Sequence, residues 1–184
     1  MGLVFLRTMR LYLRPLERAD ADGLYPQWFN DPEVCRDNSH FVFPYRHEDA
    51  IEYIDQVTGS RTDLVLAIVD SSTDKHIGNI ALTGIDSIHR SAELSIVVGE
   101  KEYWGKGYSK EAARALVDHG FYVLNLNRIQ CGTFTDNIAM RKLALSLGMR
   151  EEGIRRSAVF KNGRYVDVVL YGVLRQEYSK GNLA

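Results

Sequence analysis

Residues 93–124 contain a strand, a glycine-bearing turn and a helix in direct succession, an order that restricts the folds open to this chain. Leu94, Ile96 and Val98 occupy alternate positions, which is typical of a strand with two distinct faces. Glu93 therefore lies on the other face of that strand. Further along, apolar residues recur at the spacing that places them on one side of a helix. They are Ala113, Leu116, Val117, Gly120, Phe121 and Leu124.

The turn between this strand and this helix carries Gly105 and Gly107. Backbone N–H groups at the start of a helix lack partners within it and lie at the positive end of its dipole, so they can bind a phosphate. Lys106 adds a positive charge. The alternative interpretation is a flexible connection without a ligand. Two nucleotide-binding loops are excluded, because the dinucleotide fingerprint needs glycine at Lys110 and the Walker loop needs glycine at Glu100.

The stretch Glu102-Tyr-Trp-Gly-Lys-Gly107 resembles the acetyl-CoA loop of the GNAT superfamily of N-acetyltransferases, whose pattern is Gln/Arg-x-x-Gly-x-Gly/Ala. Glu102 departs from it, since Gln or Arg is usual at that position. The family holds the pyrophosphate mainly with backbone amides, so the departure weakens the match only slightly. The loop residues that the resemblance implies as cofactor-binding are Gly105, Lys106, Gly107, Tyr108 and Ser109.

Length and composition favour one globular domain over residues 1–184, since 45% of the 184 residues are hydrophobic and 26% are charged. Lys and Arg number 23 against 24 Asp and Glu, a net charge of −1, which gives no electrostatic reason to expect nucleic acid or an anionic membrane as partner. Cys35 and Cys131 match no metal-ligand spacing and are expected to be reduced. The first residues do not resemble a signal peptide, so the cytoplasm is the expected compartment.

The chain as a whole predicts an α/β (α+β) fold with a mixed sheet, in the order β-α-α-β-β-β-α-β-α-β-β. Asp136 is predicted to cap the last helix and Gly148 to end it. Asn162-Gly163 predicts a tight hairpin turn. The irregular segment 30–49 is the candidate wall of an acceptor site. The predicted strands are 10–16, 64–69, 76–82, 93–98 and 128–134, with the closing hairpin around 159–166, and the predicted helices are a short one before Trp28, 48–57, the long one after Gly107 and the one after Asp136.

This order is that of the GNAT fold, and the resemblance covers nearly the whole chain. The local sequence, including residues 162–167, is similar to that of the RimJ/RimL-type branch. In that fold two parallel strands part and CoA inserts between them, which implies the strands 93–98 and 128–134 here. Backbone groups of Val97 and Val98 would meet the pantetheine and acetyl groups. Asn137 matches a family asparagine that binds the CoA arm, although it also suits the start of a helix. A tyrosine that acts as general acid in many members is replaced by Ala144.

Glu93 is the candidate catalytic base, directly or through a water, because it lies on the strand expected to face the acetyl group. The alternative is a structural carboxylate that pairs with Arg90. Two further family positions that have been associated with proton transfer carry Met140 and Val159, and neither can transfer a proton. The candidate acceptor-binding residues are Trp28, Asn38, His40 and Phe43.

The resemblance implies an N-acetyltransferase that moves the acetyl group of acetyl-CoA to a primary amine, such as a protein N-terminal α-amine or a small amine. No metal is implied, and a homodimer is left open. Parts of the chain, including His89-Arg-Ser-Ala-Glu93, are also similar to spermidine acetyltransferases. A polyamine acceptor is less favoured because the segment 30–49 mixes acidic and basic residues, and an amino-sugar nucleotide is equally open. The alternative of another class is a non-catalytic CoA-binding regulatory module.

Overall fold

The computed structural model describes residues 3–178, which form one mixed sheet flanked by helices on both faces. The predicted order of elements is confirmed. The strands are β1 (Leu6–Arg7), β2 (Leu11–Pro15), β3 (Leu64–Asp70), β4 (Lys75–Asp86), β5 (Ser91–Val98), β6 (Arg128–Phe134), β7 (Arg150–Lys161) and β8 (Arg164–Leu174), and the helices are α1 (Tyr25–Trp28), α2 (His47–Val57), α3 (Tyr108–Tyr122) and α4 (Ile138–Ser146).

Within residues 3–178 the sheet has the strand order β1-β2-β3-β4-β5-β6-β8-β7, and β5 with β6 is its parallel pair. The other neighbours run antiparallel. The long helix α3 connects the two parallel strands, because a parallel pair needs a crossover rather than a hairpin. The two antiparallel halves of the sheet therefore meet along the line between β5 and β6.

The apolar residues of the central strands supply two separate cores, one on each face of the sheet. In β3, Leu66 and Ile68 pack into the core beneath α3 and α4, whereas Val65 and Ala67 pack into the core beneath α1 and α2. This explains why β3 is a continuous apolar run instead of an alternating one. Gly120 lets α3 lie close to the sheet, since a Cβ there would fall 2.8 Å from Ile129 Cδ1.

Several element boundaries differ from those expected. The two-residue strand β1 is too short for any hydrophobic period to reveal it. Pro26 does not disturb a longer helix, because it occupies the first turn of α1, where its missing N–H costs nothing. Leu124 lies beyond the end of α3 and is 37% exposed, so the apolar stripe overestimates the length of that helix. No helix among residues 3–178 combines the length and the apolar character that crossing a bilayer requires.

The predicted cap of α4 was displaced by one residue. Asn137, not Asp136, is the N-cap, and its side-chain oxygen accepts a hydrogen bond from the Met140 N–H at 2.9 Å. Asp136 instead pairs with the guanidinium of Arg164. Adjacent Asp and Asn have similar capping preferences, so the sequence alone could not decide between them. At the other end Gly148 adopts φ +80° directly after the helix, as predicted.

Candidate active site

The parallel strands β5 and β6 part in the middle of the sheet. Their register begins at Ser91 opposite Arg128 and ends at Glu93 opposite Gln130. Beyond that point β5 continues to Val98 paired with β4, and β6 continues paired with β8. The backbone groups of β5 that would otherwise bind β6 are therefore left for a ligand. This opening is the one expected between the strands 93–98 and 128–134.

The glycine turn follows the C-terminal end of β5 and leads directly into α3. Gly105 and Gly107 adopt φ +70° and +84°, left-handed conformations that glycine takes without strain. Gly107 is the N-cap of α3. Within the described part of the chain, no acceptor binds the backbone N–H groups of residues 105–110. Several successive donors at the start of a fifteen-residue helix form a site suited to a pyrophosphate.

Interactions with β2 and its preceding turn hold the glycine turn in place. Arg10 donates to the Lys106 carbonyl oxygen at 3.1 Å, and its guanidinium lies 4.0 Å from the centre of the Tyr108 ring. Glu111 accepts from Thr8 Oγ1 and from the backbone and side chain of Arg10. Burial alone would raise the pKa of Glu111, but these donors keep it below its usual value. The turn is thus fixed before any ligand binds.

Glu102, the residue that departs from the family pattern, has a cationic partner. Lys75 Nζ lies 2.7 Å from Glu102 Oε1 and 2.5 Å from Glu100 Oε2. The hydrogen bonds to the two carboxylates raise the pKa of Lys75 well above its usual value. A carboxylate beside a phosphate site would repel the ligand, and Lys75 reduces that repulsion. The chain therefore compensates for the unusual residue from the neighbouring hairpin.

A cavity of about 300 Å³ opens between α1, α2 and the face of the central strands that these helices cover, beside the C-terminal half of β5. Its walls are largely apolar and include four aromatic residues from α1, α2 and the segment that joins them, namely Tyr25, Phe29, Tyr45 and Tyr53. Among the described residues, none that lines this cavity carries a carboxylate, an ammonium or a guanidinium group. Its polar lining comes from Asn38, His40, Asn79 and Ser95. We refer to it as the acceptor cavity.

Two of the four predicted acceptor residues, Asn38 and His40, line the acceptor cavity. Trp28 does not, because its indole packs on the backbone of Gly99 and donates to Glu100 Oε1 at 2.8 Å. It is 4% exposed and belongs to the core under α1. Phe43 is 81% exposed and does not line the cavity. Of the predicted aromatic acceptor residues, Trp28 therefore packs in the core, Phe43 is exposed to solvent and His40 lines the cavity. The sequence alone could not show this difference.

His40 lines the acceptor cavity beside Phe29. Its ring centre lies 4.2 Å from that of Phe29, and its carbonyl oxygen accepts from Lys161 Nζ at 2.7 Å. Desolvation by the surrounding side chains and then the charge of Lys161 lower the pKa of His40. The imidazole is therefore mainly neutral at pH 7, so it can accept or donate a hydrogen bond without adding charge to the cavity.

Glu93 stands apart from the acceptor cavity. It is exposed and borders a second, polar cavity of about 250 Å³ formed with Arg128, Cys131 and Glu152. Arg90 binds Asn125 instead, so the expected alternative of an Arg90–Glu93 pair is not formed. Burial, and then the nearby charge of Glu93, raise the pKa of Cys131 to about 12, so this thiol is inert.

Asn137 and Ala144 lie on α4, which packs beside the open end of β6. The Asn137 amide is used for structure, because its oxygen caps the helix and its nitrogen donates to the Asp37 carbonyl oxygen at 3.1 Å. Its proposed contact with the CoA arm stays a prediction. Ala144 is completely buried in the core under α3 and α4. The methyl group of Ala144 has no proton to donate to the departing thiolate.

Among the residues that line the acceptor cavity, Asn79, Tyr25 and Tyr53 were not predicted from the sequence. Asn79 lies within the apolar strand β4, which the sequence predicts as a strand over 76–82. A buried asparagine in such a strand is a signal that could have been used, because polar groups are buried mainly where they are bonded or functional. In residues 3–178 no three His, Cys, Asp or Glu side chains come together as a metal site would need.

The comparisons with known proteins agree with this geometry. A family model described as an acetyltransferase (GNAT) domain matches residues 10–150. The uncharacterized N-acetyltransferase p20 of Bacillus licheniformis is 35% identical over 176 residues, which cover 95% of this chain and 98% of that protein. The putative ribosomal N-acetyltransferase YdaF of Bacillus subtilis (strain 168) is 34% identical over 101 residues, 55% of each chain.

Among solved structures, spermidine N-acetyltransferase from Vibrio cholerae in complex with CoA and spermine aligns with a TM-score of 0.82 and 29% identity, covering 92% of this chain and 98% of that one. The chain belongs to the GNAT acetyltransferases. It has the GNAT fold and is an acetyl-CoA-dependent N-acetyltransferase, with acetyl-CoA as co-substrate. The expected fold, enzyme class and co-substrate are thereby confirmed.

Proposed function

We propose that this enzyme acetylates a primary amine whose remaining groups carry no charge, in a RimJ/RimL-like manner. A protein N-terminal α-amine or a small α-amino compound is an acceptor of this kind. The observation that carries the proposal is the acceptor cavity, whose described lining is largely apolar and neutral. Such a lining suits an acceptor with one amine and an uncharged remainder. It offers no carboxylates to pair with a second or third ammonium group.

In this proposal the pyrophosphate of acetyl-CoA binds at the backbone N–H groups that follow Gly105, with Lys106 as a mobile counter-charge. The pantetheine arm follows the unpaired edge of β5 to Val97 and Val98. The Val98 carbonyl oxygen already accepts from the Trp104 indole N–H at 2.7 Å, which fixes the backbone beside the arm. The acetyl group then lies next to the acceptor cavity, because Val97 lines it.

The reaction forms one C–N bond and breaks one C–S bond. The neutral amine attacks the thioester carbonyl carbon and its nitrogen becomes positively charged. The C–S bond then breaks, CoA leaves as the thiolate, and the nitrogen loses one proton to give the neutral amide. Glu93 is the proposed final acceptor of that proton. Val97 lies four positions further along the strand, about 13 Å away at ~3.3 Å per residue, so the proton reaches Glu93 through water and not by direct contact.

Polyamine acetylation is the second candidate, because a solved relative at 29% identity is a spermidine N-acetyltransferase bound to CoA and spermine. The charges of the segment 30–49 argue against it, since many of its acidic groups are already paired. Asp31 and Glu33 both bind Lys101, at 2.8 and 2.6 Å, and Asp49 binds Arg46 at 2.8 Å. These carboxylates are occupied outside the acceptor cavity.

An acceptor panel tests the proposal. Release of the CoA thiol would be measured with L-alaninamide, a short peptide with a free N-terminus, spermidine and glucosamine, and the products identified by mass. We expect the first two amines to have the highest kcat/KM. Spermidine preferred by tenfold or more would establish the polyamine alternative, and binding of acetyl-CoA without turnover of any amine would refute the acceptor proposal.

A further inference from the structure

Asn79 places a buried polar side chain beside the position expected for the acetyl group. In the antiparallel pair of β4 and β5 it stands directly opposite Val97. Residues opposite each other in such a pair project from the same face with their Cβ atoms about 5 Å apart. Asn79 is 8% exposed and lines the acceptor cavity. Its amide is thus next to the backbone proposed to hold the acetyl group.

The orientation of this amide follows from its contact with His76. The Nε2 atom of His76 lies 3.0 Å from the Gly78 carbonyl oxygen and 2.8 Å from Asn79 Oδ1. A carbonyl oxygen can only accept, so Nε2 must carry the hydrogen, and the Asn79 atom that faces it must be the oxygen. The NH2 group of Asn79 is therefore free to donate, and in residues 3–178 no acceptor is bonded to it.

His76 is in turn fixed by the buried ion pair of Arg14 with Asp20, on the face of the sheet that α1 covers. Its Nδ1 atom lies 3.3 Å from Asp20 Oδ1, and Asp20 binds Arg14 through two hydrogen bonds of 2.8 and 2.6 Å. The side chains of His76 and Asp20 are 14% and 6% exposed. The Trp28 ring closes the other side, 5.0 Å from the imidazole. Such a buried polar chain is costly unless every member is satisfied, and here its last member is a donor that points into the cavity.

We propose that Asn79 determines acceptor specificity, by donating its NH2 group to an oxygen that lies close to the reacting amine of the substrate. The fitting substrate class is an amine with an adjacent hydrogen-bond acceptor, such as the carbonyl oxygen next to an α-amine, in preference to a plain alkyl amine or a polyamine. The inference rests on the proposed function, because it assumes that the amine binds in the acceptor cavity.

The test compares two acceptors of similar size, L-alaninamide and 2-aminobutane, in the wild type and in Asn79→Leu and Asn79→Ser. Each ratio of variant to wild type is taken on one amine, so the different basicities of the two amines cancel. A lost hydrogen bond in a buried site costs about 10- to 100-fold, so we expect kcat/KM for L-alaninamide to fall by this factor. For 2-aminobutane we expect a change below about threefold, within the effect of a repacked side chain.

An equal loss on both amines would overturn the inference, because it would assign the NH2 group to the thioester carbonyl or to folding. The serine variant keeps a small side chain, so it distinguishes lost bonding from disturbed packing by the leucine. A wild type that prefers 2-aminobutane would also overturn it, while leaving N-acetylation of amines intact. A wild type that binds acetyl-CoA but acetylates neither amine would refute the proposed function and the inference with it.

Discussion

Gly107→Ala should separate the role of the glycine turn in binding CoA from its role in folding. Gly107 has φ +84° and ψ 1°, a conformation that costs alanine about 1 kcal/mol. The space around it adds nothing to this cost, because a Cβ would lie 3.6 Å from Arg10, an ordinary contact. For a chain of this length, 1 kcal/mol corresponds to a decrease in Tm of about 2–4 °C.

The affinity for acetyl-CoA should fall further than this strain explains. A Cβ at Gly107 would stand at the start of α3, where the pyrophosphate must approach the backbone, so we expect the Kd to rise about tenfold or more. Gly148→Ala is the matched control, since Gly148 has φ +80° and equally open surroundings but lies at the opposite end of α4 from the site. Titration calorimetry and thermal unfolding of both variants measure the two effects. Equal Kd values in the two variants would refute the phosphate-binding role.

Three further predictions concern charged groups. Glu93→Gln should lower kcat about 10- to 1000-fold with little change in acetyl-CoA affinity, and the wild-type pH profile should rise without falling before about pH 9. A variant with wild-type kcat and profile would make Glu93 structural. Lys75→Met should raise the Kd of acetyl-CoA about two- to fivefold at low salt and less at high salt, because it exposes two carboxylates beside the turn. Burial raises the pKa of Asp20, but the hydrogen bonds from Arg14 and His76 and the charge of His76 together outweigh burial and lower it, so the stability that Asp20 contributes is complete above about pH 4 and is lost as the pH falls below that value. Asp20→Asn should therefore flatten the acid limb of urea-unfolding stability, and an unchanged limb would disprove this assignment.

Apart from the two-residue strand β1, the elements of the fold were predictable because their sequence signals are local. The alternation in β5, the stripe of α3 and the Asn162-Gly163 turn all depend on neighbours within one element. The parting of the strands came from the resemblance to the family and not from periodicity. The residues of β5 and β6 do not indicate that the pairing of the two strands ends at Glu93 and Gln130, because the pairing of each strand depends on its neighbour in the sheet.

The acceptor cavity could not be assembled from the sequence in the same way. Its walls come from segments as distant as Phe29 and Val97, which meet only when α1 and α2 pack on the sheet. Trp28, one of the candidate acceptor-binding residues, is a core residue because Gly99 leaves room for its indole against the backbone. Adjacent aromatic residues on one short helix point in different directions, and the difference is set by tertiary packing.

The neutral lining of the acceptor cavity follows from where the fold places it. Tyr25, Phe29 and Val65 belong both to the cavity wall and to the core under α1 and α2, so the cavity is a gap in that core. A charged side chain in such a gap would lose hydration without a partner, and discrimination between acceptors must come from neutral donors and acceptors. The charges of Arg14 and Asp20 lie outside the cavity lining, and they act on Asn79 through His76 instead of touching the substrate. For this reason the charge composition of the segment 30–49 is a weak guide to the acceptor, and the buried amide of β4 is the stronger one.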